Sequence, residues 1–325
     1  MAACPIEATG LVKRYGEKVA LGGIDLSVPA GTVTAVLGPN GAGKTTAVRI
    51  LTTLSEPDEG SATVAGFDVM KDPTEVRRRI GLAAQDATVD PLLTGFENLV
   101  MIGELHQLSR KEAKVRAGQL LEEFSLADAG SRVSGGYSGG MRRRLDLAAT
   151  LVAKPEVLFL DEPTTGLDPR ARNELWAVLD TLLDHGTTIL LTTQYLEEAD
   201  RLAHDIVVVD HGQIIAQGDA RSLKRQVGGD NIGVTVTQVE RLGEAAQVLG
   251  RVTGTSVVED PSTRSAVAPT EAGVSGLADV ARALGEAGIG VEDLSLRQPT
   301  LDEVFLTLTG SPANDELSAD EEGAR

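Results

Sequence analysis

Residues 33–46 read VTAVLGPNGAGKTT, and this stretch decides the fold. Val33-Thr34-Ala35-Val36-Leu37 is a short run without charge, as expected of a strand buried on both faces. It stops at a glycine-rich loop. Residues 43–54, GKTTAVRILTTL, then take up a helical period. Gly38, Pro39, Asn40, Gly41, Ala42, Gly43, Lys44, Thr45 and Thr46 fit G-x-x-x-x-G-K-[ST]. The glycines let the backbone wrap a phosphate with its N–H groups pointing inward. The helix N-terminus adds a favourable field, and Lys44 reaches the terminal phosphates. The Thr45 hydroxyl is a hard oxygen donor suited to Mg2+. A plain glycine turn after a strand would need neither Lys44 nor Thr45.

Three further segments read as buried strands: 156–160 (EVLFL), 187–192 (TTILLT) and 204–210 (HDIVVVD). Helical patterns separate them, which predicts a parallel sheet flanked by helices. The first ends in two carboxylates, Asp161 and Glu162. Beside a nucleoside triphosphate, one carboxylate belongs near Mg2+ and one orients and deprotonates water. Asp161 suits the first role and Glu162 the second. A helix cap after the strand would need Asp161 alone. The strand at 187–192 runs through two threonines to Gln194, where a helical pattern starts at Tyr195.

Residues 6–37 read as short strands broken at Tyr15-Gly16, Gly22-Gly23 and Pro29-Ala30-Gly31, and 61–69 as a hairpin. Residues 90–150 are mostly helical. Ser138-Gly139-Gly140 precedes an amphipathic helix: the serine caps it, and the glycines expose N–H groups to an anion. Arg142, Arg143 and Arg144 read as a solvated helix face rather than an anion site. Asp168 caps the helix that follows, with Pro169 at its first position. KRQVGGDN, around 226, is a linker candidate. Beyond it the order is strand, helix, two-strand hairpin, helix, strand, that of a ferredoxin-like sandwich, with one more helix at PTLDEVFLTLTG. The expected organisation is an ATP-binding domain over 1–226 with a helical insert at about 86–150. A small α+β domain follows over 227–310, then an acidic, disordered tail over 311–325.

The chain has 325 residues, 42% of them hydrophobic, and a net charge of −18. Its pI is near 4.7. Such a surface repels phosphate backbones and anionic lipid, so nucleic acid and direct electrostatic membrane binding are disfavoured. The single cysteine, Cys4, fits a reducing compartment. MAACPIEATG has no basic segment leading into an apolar core, so no signal peptide is expected there. No apolar run approaches the ~20 residues of a membrane helix.

With these motifs in this order, residues 6–220 resemble the ATP-binding subunits of ABC transporters. The resemblance identifies Gly38–Thr46 as Walker A, Gln85 as the Q-loop and Ser138-Gly139-Gly140 as the signature. Val157–Asp161 with Glu162 become Walker B, and Gly166-Leu167-Asp168 the D-loop. It implies an α/β fold: a P-loop ABC ATPase domain with a RecA-like parallel core, an antiparallel β subdomain and a helical insert. It further implies a head-to-tail homodimer, with ATP between the Walker A of one copy and the signature of the other. Tyr15 would stack on adenine, against the plainer reading of a turn residue that only packs. Gln85 would sense Mg2+ and report to the membrane subunit through the insert, against that of a solvated loop residue.

Three positions depart from the family pattern. The signature commonly begins Leu-Ser-Gly-Gly-Gln, where this chain has Tyr137-Ser138-Gly139-Gly140-Met141. Gln194 stands where a switch histidine is usual, and none of His106, His185, His204 or His211 lies at that strand end. Gln194 is expected beside the strands ending in Asp161 and Gly38, facing the γ-phosphate. An amide can donate and accept together but cannot titrate. Glu162 would then be the base and Gln194 a phosphate or water contact. The other reading makes Gln194 merely a neighbour of a helix cap.

TTQYLEEAD, YSGGM and PTLDEVFLTLTG resemble one subgroup, the daunorubicin/doxorubicin-resistance type, over nearly the whole chain. This implies a peripheral ATPase on the cytoplasmic face of the cell membrane, touching the membrane only through a separately encoded permease. That permease would export a drug, antibiotic or lipid. The alternatives are an importer ATPase, or a soluble ABC-type ATPase acting on nucleic acid or the ribosome.

Overall fold

The computed structural model describes residues 4–84, 88–184, 186–227, 230–297 and 300–309. Gln85, His185 and the tail expected at 311–325 lie outside these residues. The chain divides into two compact units, with the boundary between Ala220 and Arg221.

The first unit opens with β1 (Ile6–Tyr15) and β2 (Lys18–Val28), then β3 (Val33–Leu37) and α1 (Lys44–Leu51). β4 (Glu59–Val64), β5 (Phe67–Asp68), α2 (Pro73–Arg77) and β6 (Ile80–Ala83) follow. The insert holds α3 (Gly95–Leu105), α4 (Arg110–Glu123) and α5 (Gly139–Thr150). Thr94 and Ser109 each start a helix with a complete capping box, which satisfies end N–H groups that the helix itself cannot. The chain then runs through β7 (Val157–Asp161), α6 (Pro169–Asp184), β8 (Thr188–Thr193), α7 (Leu196–Leu202), β9 (Asp205–Asp210) and β10 (Gln213–Gly218), and α8 (Ala220–Val227) carries the chain from the first unit into the second.

β2-β1-β4-β5 form an antiparallel sheet, and β10-β9-β3-β8-β7-β6 a second. In the second, β9, β3, β8, β7 and β6 are parallel, and β10 returns as an antiparallel edge. Every residue of β3, β7 and β8 is buried, which is why these strands read as continuous rather than alternating apolar runs. The expected hairpin at 61–69 is β4–β5, turning at Ala65-Gly66 with positive φ at both residues, as a type I′ turn requires. β6 and β10 extend the sheet beyond the strands legible in the sequence. One apolar cluster joins Leu11 and Leu26 of the first sheet, Val48 and Leu51 of α1, and Phe159 and Leu190 of the second. Each fully buried leucine or valine there contributes about 1.5–3 kcal/mol. Helix α1 and the loop before it are thereby fixed to both sheets.

The second unit contains β11 (Asp230–Val236), α9 (Leu242–Thr253), β12 (Val258–Asp260), β13 (Ser265–Thr270), α10 (Gly273–Glu286), β14 (Val291–Arg297) and α11 (Leu301–Thr309). Its sheet order, β12-β13-β11-β14, is antiparallel throughout. With helices after the first and third strands, this is the ferredoxin-like arrangement. Its core is its own: Ile232, Val234, Leu249, Ala268, Val280 and Leu284 pack together.

Candidate active site

Three strands of the parallel sheet end abreast. Leu37 lies beside Thr193, and Thr192 beside Asp161. Strand β8, which leads to Gln194, therefore sits between the strands that deliver the glycine-rich loop and the carboxylate pair. The Gly38 N–H donates to the Thr193 carbonyl at 3.3 Å, tying the loop to the sheet. Two loop glycines are sterically required. A Cβ on Gly38 would stand 2.2 Å from the Val209 carbonyl oxygen, and one on Gly43, at φ 110°, would stand 2.4 Å from that of Ala20. Both approaches are far inside van der Waals contact.

Lys44 is 4% exposed and Glu162 8%. The Lys44 ammonium lies 3.2 Å from Glu162 Oε1 and donates to the carbonyls of Gly38 at 2.7 Å and Pro39 at 3.1 Å. Burial pushes the Lys44 pKa down, against the pull of Glu162 and Asp161. A desolvated ammonium surrounded by oxygens suits a dense anion. Asp161 Oδ1 accepts from Thr192 Oγ1 at 2.5 Å and from Thr45 Oγ1 at 3.2 Å. The Glu162 N–H is held by both the carbonyl and the hydroxyl of Thr192, each at 3.1 Å. Glu162 itself has φ 48°, a left-handed conformation that a non-glycine residue keeps only where its surroundings impose it. A cavity of about 280 Å³ is lined by the loop, Glu162, Lys18 and Tyr15. The Tyr15 ring is 51% exposed at the end of β1, with Lys13 Nζ 5.7 Å from its centroid.

Other expected positions stand apart from this cavity. Ser138 caps α5 by accepting from the Met141 N–H at 3.3 Å. Ser138 and Gly139 are exposed, and Gly140 partly so, yet none of the three lines the cavity of their own chain. Asp168 Oδ1 accepts from the Ala171 N–H at 2.7 Å and so caps α6. Gln194 is half-buried, one residue past the Thr193 that holds Gly38, and is not among the cavity-lining residues.

The solvated arginine face is a correction. Only Arg142 is exposed. Arg143 is 12% exposed by side chain and Arg144 16%. Arg144 bonds the Phe124 carbonyl and pairs with Glu174. Arg143 turns into the sheet end, donating to Pro163 at 2.9 Å and Ala84 at 2.6 Å. At about 3.6 residues per turn, three consecutive positions fan over half the helix circumference and cannot share one solvent face. Glu198 also escaped the sequence reading. It is fully buried on α7 and accepts from Trp176 Nε1 at 3.3 Å. Burial pushes its carboxyl up, against the Trp176 hydrogen bond and the nearby charge of Arg172. Thr192 was visible only as a β-branched strand residue.

The family model described as ABC transporter matches residues 21–165. A daunorubicin resistance ATP-binding protein, DrrA2, of Streptomyces coeruleorubidus is 54% identical over 94% of this chain and 95% of its own length. The chain belongs to the ABC transporter ATP-binding proteins, in the daunorubicin/doxorubicin-resistance group. As a member, this ABC protein is an ATPase. It is also similar to a Nod factor export ATP-binding protein I of Burkholderia thailandensis, 38% identical over 97% of this chain and all of that one. Among solved structures, the ATP-binding subunit of an ABC transporter superposes with a TM-score of 0.62 at 28% identity, covering 68% of this chain and 92% of the other.

Proposed function

We propose that this ABC ATPase works as an exporter subunit, hydrolysing ATP to drive efflux of a drug, antibiotic or lipid through a separately encoded membrane permease. The observation that carries the catalytic part is the meeting of Lys44, Thr45, Asp161 and Glu162 at one sheet end. The export reading is supported by near full-length similarity to a daunorubicin resistance protein and to a Nod factor export protein. Among the described residues no helix is long and apolar enough to cross a membrane, so the transport path is assigned to the partner. The subunit is assigned to the cytoplasmic face.

ATP places adenine on Tyr15 and its phosphates in the loop of Gly38–Thr46. The terminal phosphate is a denser charge than a carboxylate and draws Lys44 from Glu162. Glu162 then accepts a proton from the attacking water, and the new phosphorus–oxygen bond forms as the bond to the β-phosphate oxygen breaks. Gln194 holds the γ-phosphate or orients that water, without exchanging a proton. Thr45 and Asp161 pair a hydroxyl with a carboxylate, a donor set that would hold Mg2+ beside the nucleotide. Held there, it would neutralise phosphate charge. Gln85 is assigned to the same ion and to signalling toward the permease.

The exposure of Ser138 and Gly139, and their absence from the cavity of their own chain, support a head-to-tail homodimer. In it these residues cover the nucleotide of the second copy, and Asp168 faces the partner. Glu162→Gln should reduce ATP hydrolysis at least about a hundredfold, as expected when a general base is removed, while ATP binding persists. Turnover near the wild-type rate would sink the assignment. Pull-down from membrane extracts should recover a multi-spanning permease, and recovery of ribosomes or DNA instead would overturn the exporter reading.

A further inference from the structure

Arg143 makes contacts that the proposed chemistry has not used. Its guanidinium donates through Nε to the Pro163 carbonyl at 2.9 Å, and through Nη2 to those of Asp161 and Glu162, each at 3.4 Å. Nη1 donates to Ala84 at the end of β6 at 2.6 Å. Four backbone carbonyls from two strand ends thus converge on one side chain. Burial opposes its charge, and Asp146 and Asp161 favour it. Asp146, one turn along α5 and fully buried, brings Oδ2 to 3.6 Å from Arg143 Nη1. Its Oδ1 accepts from both the N–H (2.7 Å) and the hydroxyl (2.5 Å) of Thr88. Ala84 and Thr88, the described residues on either side of 85–87, are therefore both held by one turn of α5.

The carbonyls of 161–163 belong to the turn in which Glu162 adopts φ 48°. Such a conformation persists only where surrounding contacts over-determine it. The Thr192 bonds fix the Glu162 N–H, and Arg143 fixes the carbonyl side. A planar fork with five donors can meet several carbonyls in different directions. An ammonium on a flexible stem cannot hold that geometry.

We propose that Arg143, steadied by Asp146, is a positioning residue for hydrolysis. It holds the turn that aims Glu162 and binds it to the helix that Ser138 starts, so that the exposed Ser-Gly-Gly segment and the water-activating carboxylate move together. This inference rests on Glu162 being the base. Arg143 lines no part of the nucleotide cavity, so its loss should separate turnover from binding.

The test compares Arg143→Lys, Asp146→Asn and Glu162→Gln in the full-length chain, measuring kcat, KM, affinity for a fluorescent ATP analogue and Tm. Arg143→Lys should lower kcat at least tenfold with analogue affinity within about twofold. Asp146→Asn, which keeps an acceptor for Thr88 but loses the charge beside Arg143, should lower kcat several-fold at unchanged affinity. In Arg143→Ala, millimolar guanidinium should restore part of kcat where the same concentration of ammonium does not. If the alanine variant does not fold, the lysine variant decides. Arg143→Lys with wild-type kcat, or with kcat and affinity falling together with Tm, would overturn the positioning role. Glu162→Gln turning over normally would instead remove the base assignment, whatever Arg143 does.

Discussion

At the scale of single residues, two side chains give pH-dependent expectations. Glu198 is buried with its carboxyl pushed above the ordinary range. The folded chain therefore binds that proton more tightly than the unfolded chain does. The contribution to stability is fully present below the unfolded pKa of about 4.3 and is lost as pH rises through the raised folded pKa. Glu198→Gln keeps an acceptor for Trp176 and has no proton to lose. Its Tm should fall less than that of the wild type as pH rises through this window, and thermal melts across pH check it. At Gln194 the expectation is the reverse. Since an amide does not titrate, the pH–rate profile should lack a step near about 6.5 from this position, and Gln194→His should introduce one. Gln194→Ala with unchanged turnover would favour the cap-neighbour reading.

Among elements, β8 carries more than its apolar pattern announced. Thr192 bonds both Asp161 Oδ1 and the Glu162 N–H. Thr192→Val keeps the shape but leaves those buried groups each short of a partner. It should destabilise the chain by about 1–3 kcal/mol and lower ATPase activity, read by chemical denaturation and a phosphate-release assay. At the end of β3, Gly38→Ala would press a methyl against the Val209 carbonyl. That forces β3 and β9 apart, so weakened binding of an ATP analogue and a lowered Tm are expected. The phosphate loop and the carboxylate strand were legible because each is one short local pattern whose parts are adjacent in sequence. β6 was not, because four residues carry too little pattern to separate from a loop. The arginines of α5 were misread because their surroundings, Ala84 and Pro163, come from distant parts of the chain.

For the whole molecule, each unit has a core of its own residues. A chain ending after residue 227 retains both sheets of the first unit and α8. It should fold cooperatively and bind an ATP analogue with affinity within about threefold of the full chain, since RT ln 3 is below 1 kcal/mol. Thermal unfolding and fluorescence titration test this. Comparing basal ATPase and dimerisation of the two chains then assigns the second unit a regulatory, dimerising or merely packing role.

By itself the sequence determined the strand-loop-helix that takes phosphate, the carboxylates at the next strand end, the ferredoxin-like order of the second unit and the place where an amide replaces a histidine. All are local patterns, governed by backbone periodicity and by the few residue types a tight phosphate loop accepts. The strand leading to Gln194 was expected beside the two motif-bearing strands, and β8 lies between them; only the tertiary structure decided that Thr192 holds both carboxylate residues. It alone turned Arg143 inward onto four carbonyls. Those facts depend on which strands become neighbours in the sheet, and strand order is set by packing between segments more than a hundred residues apart.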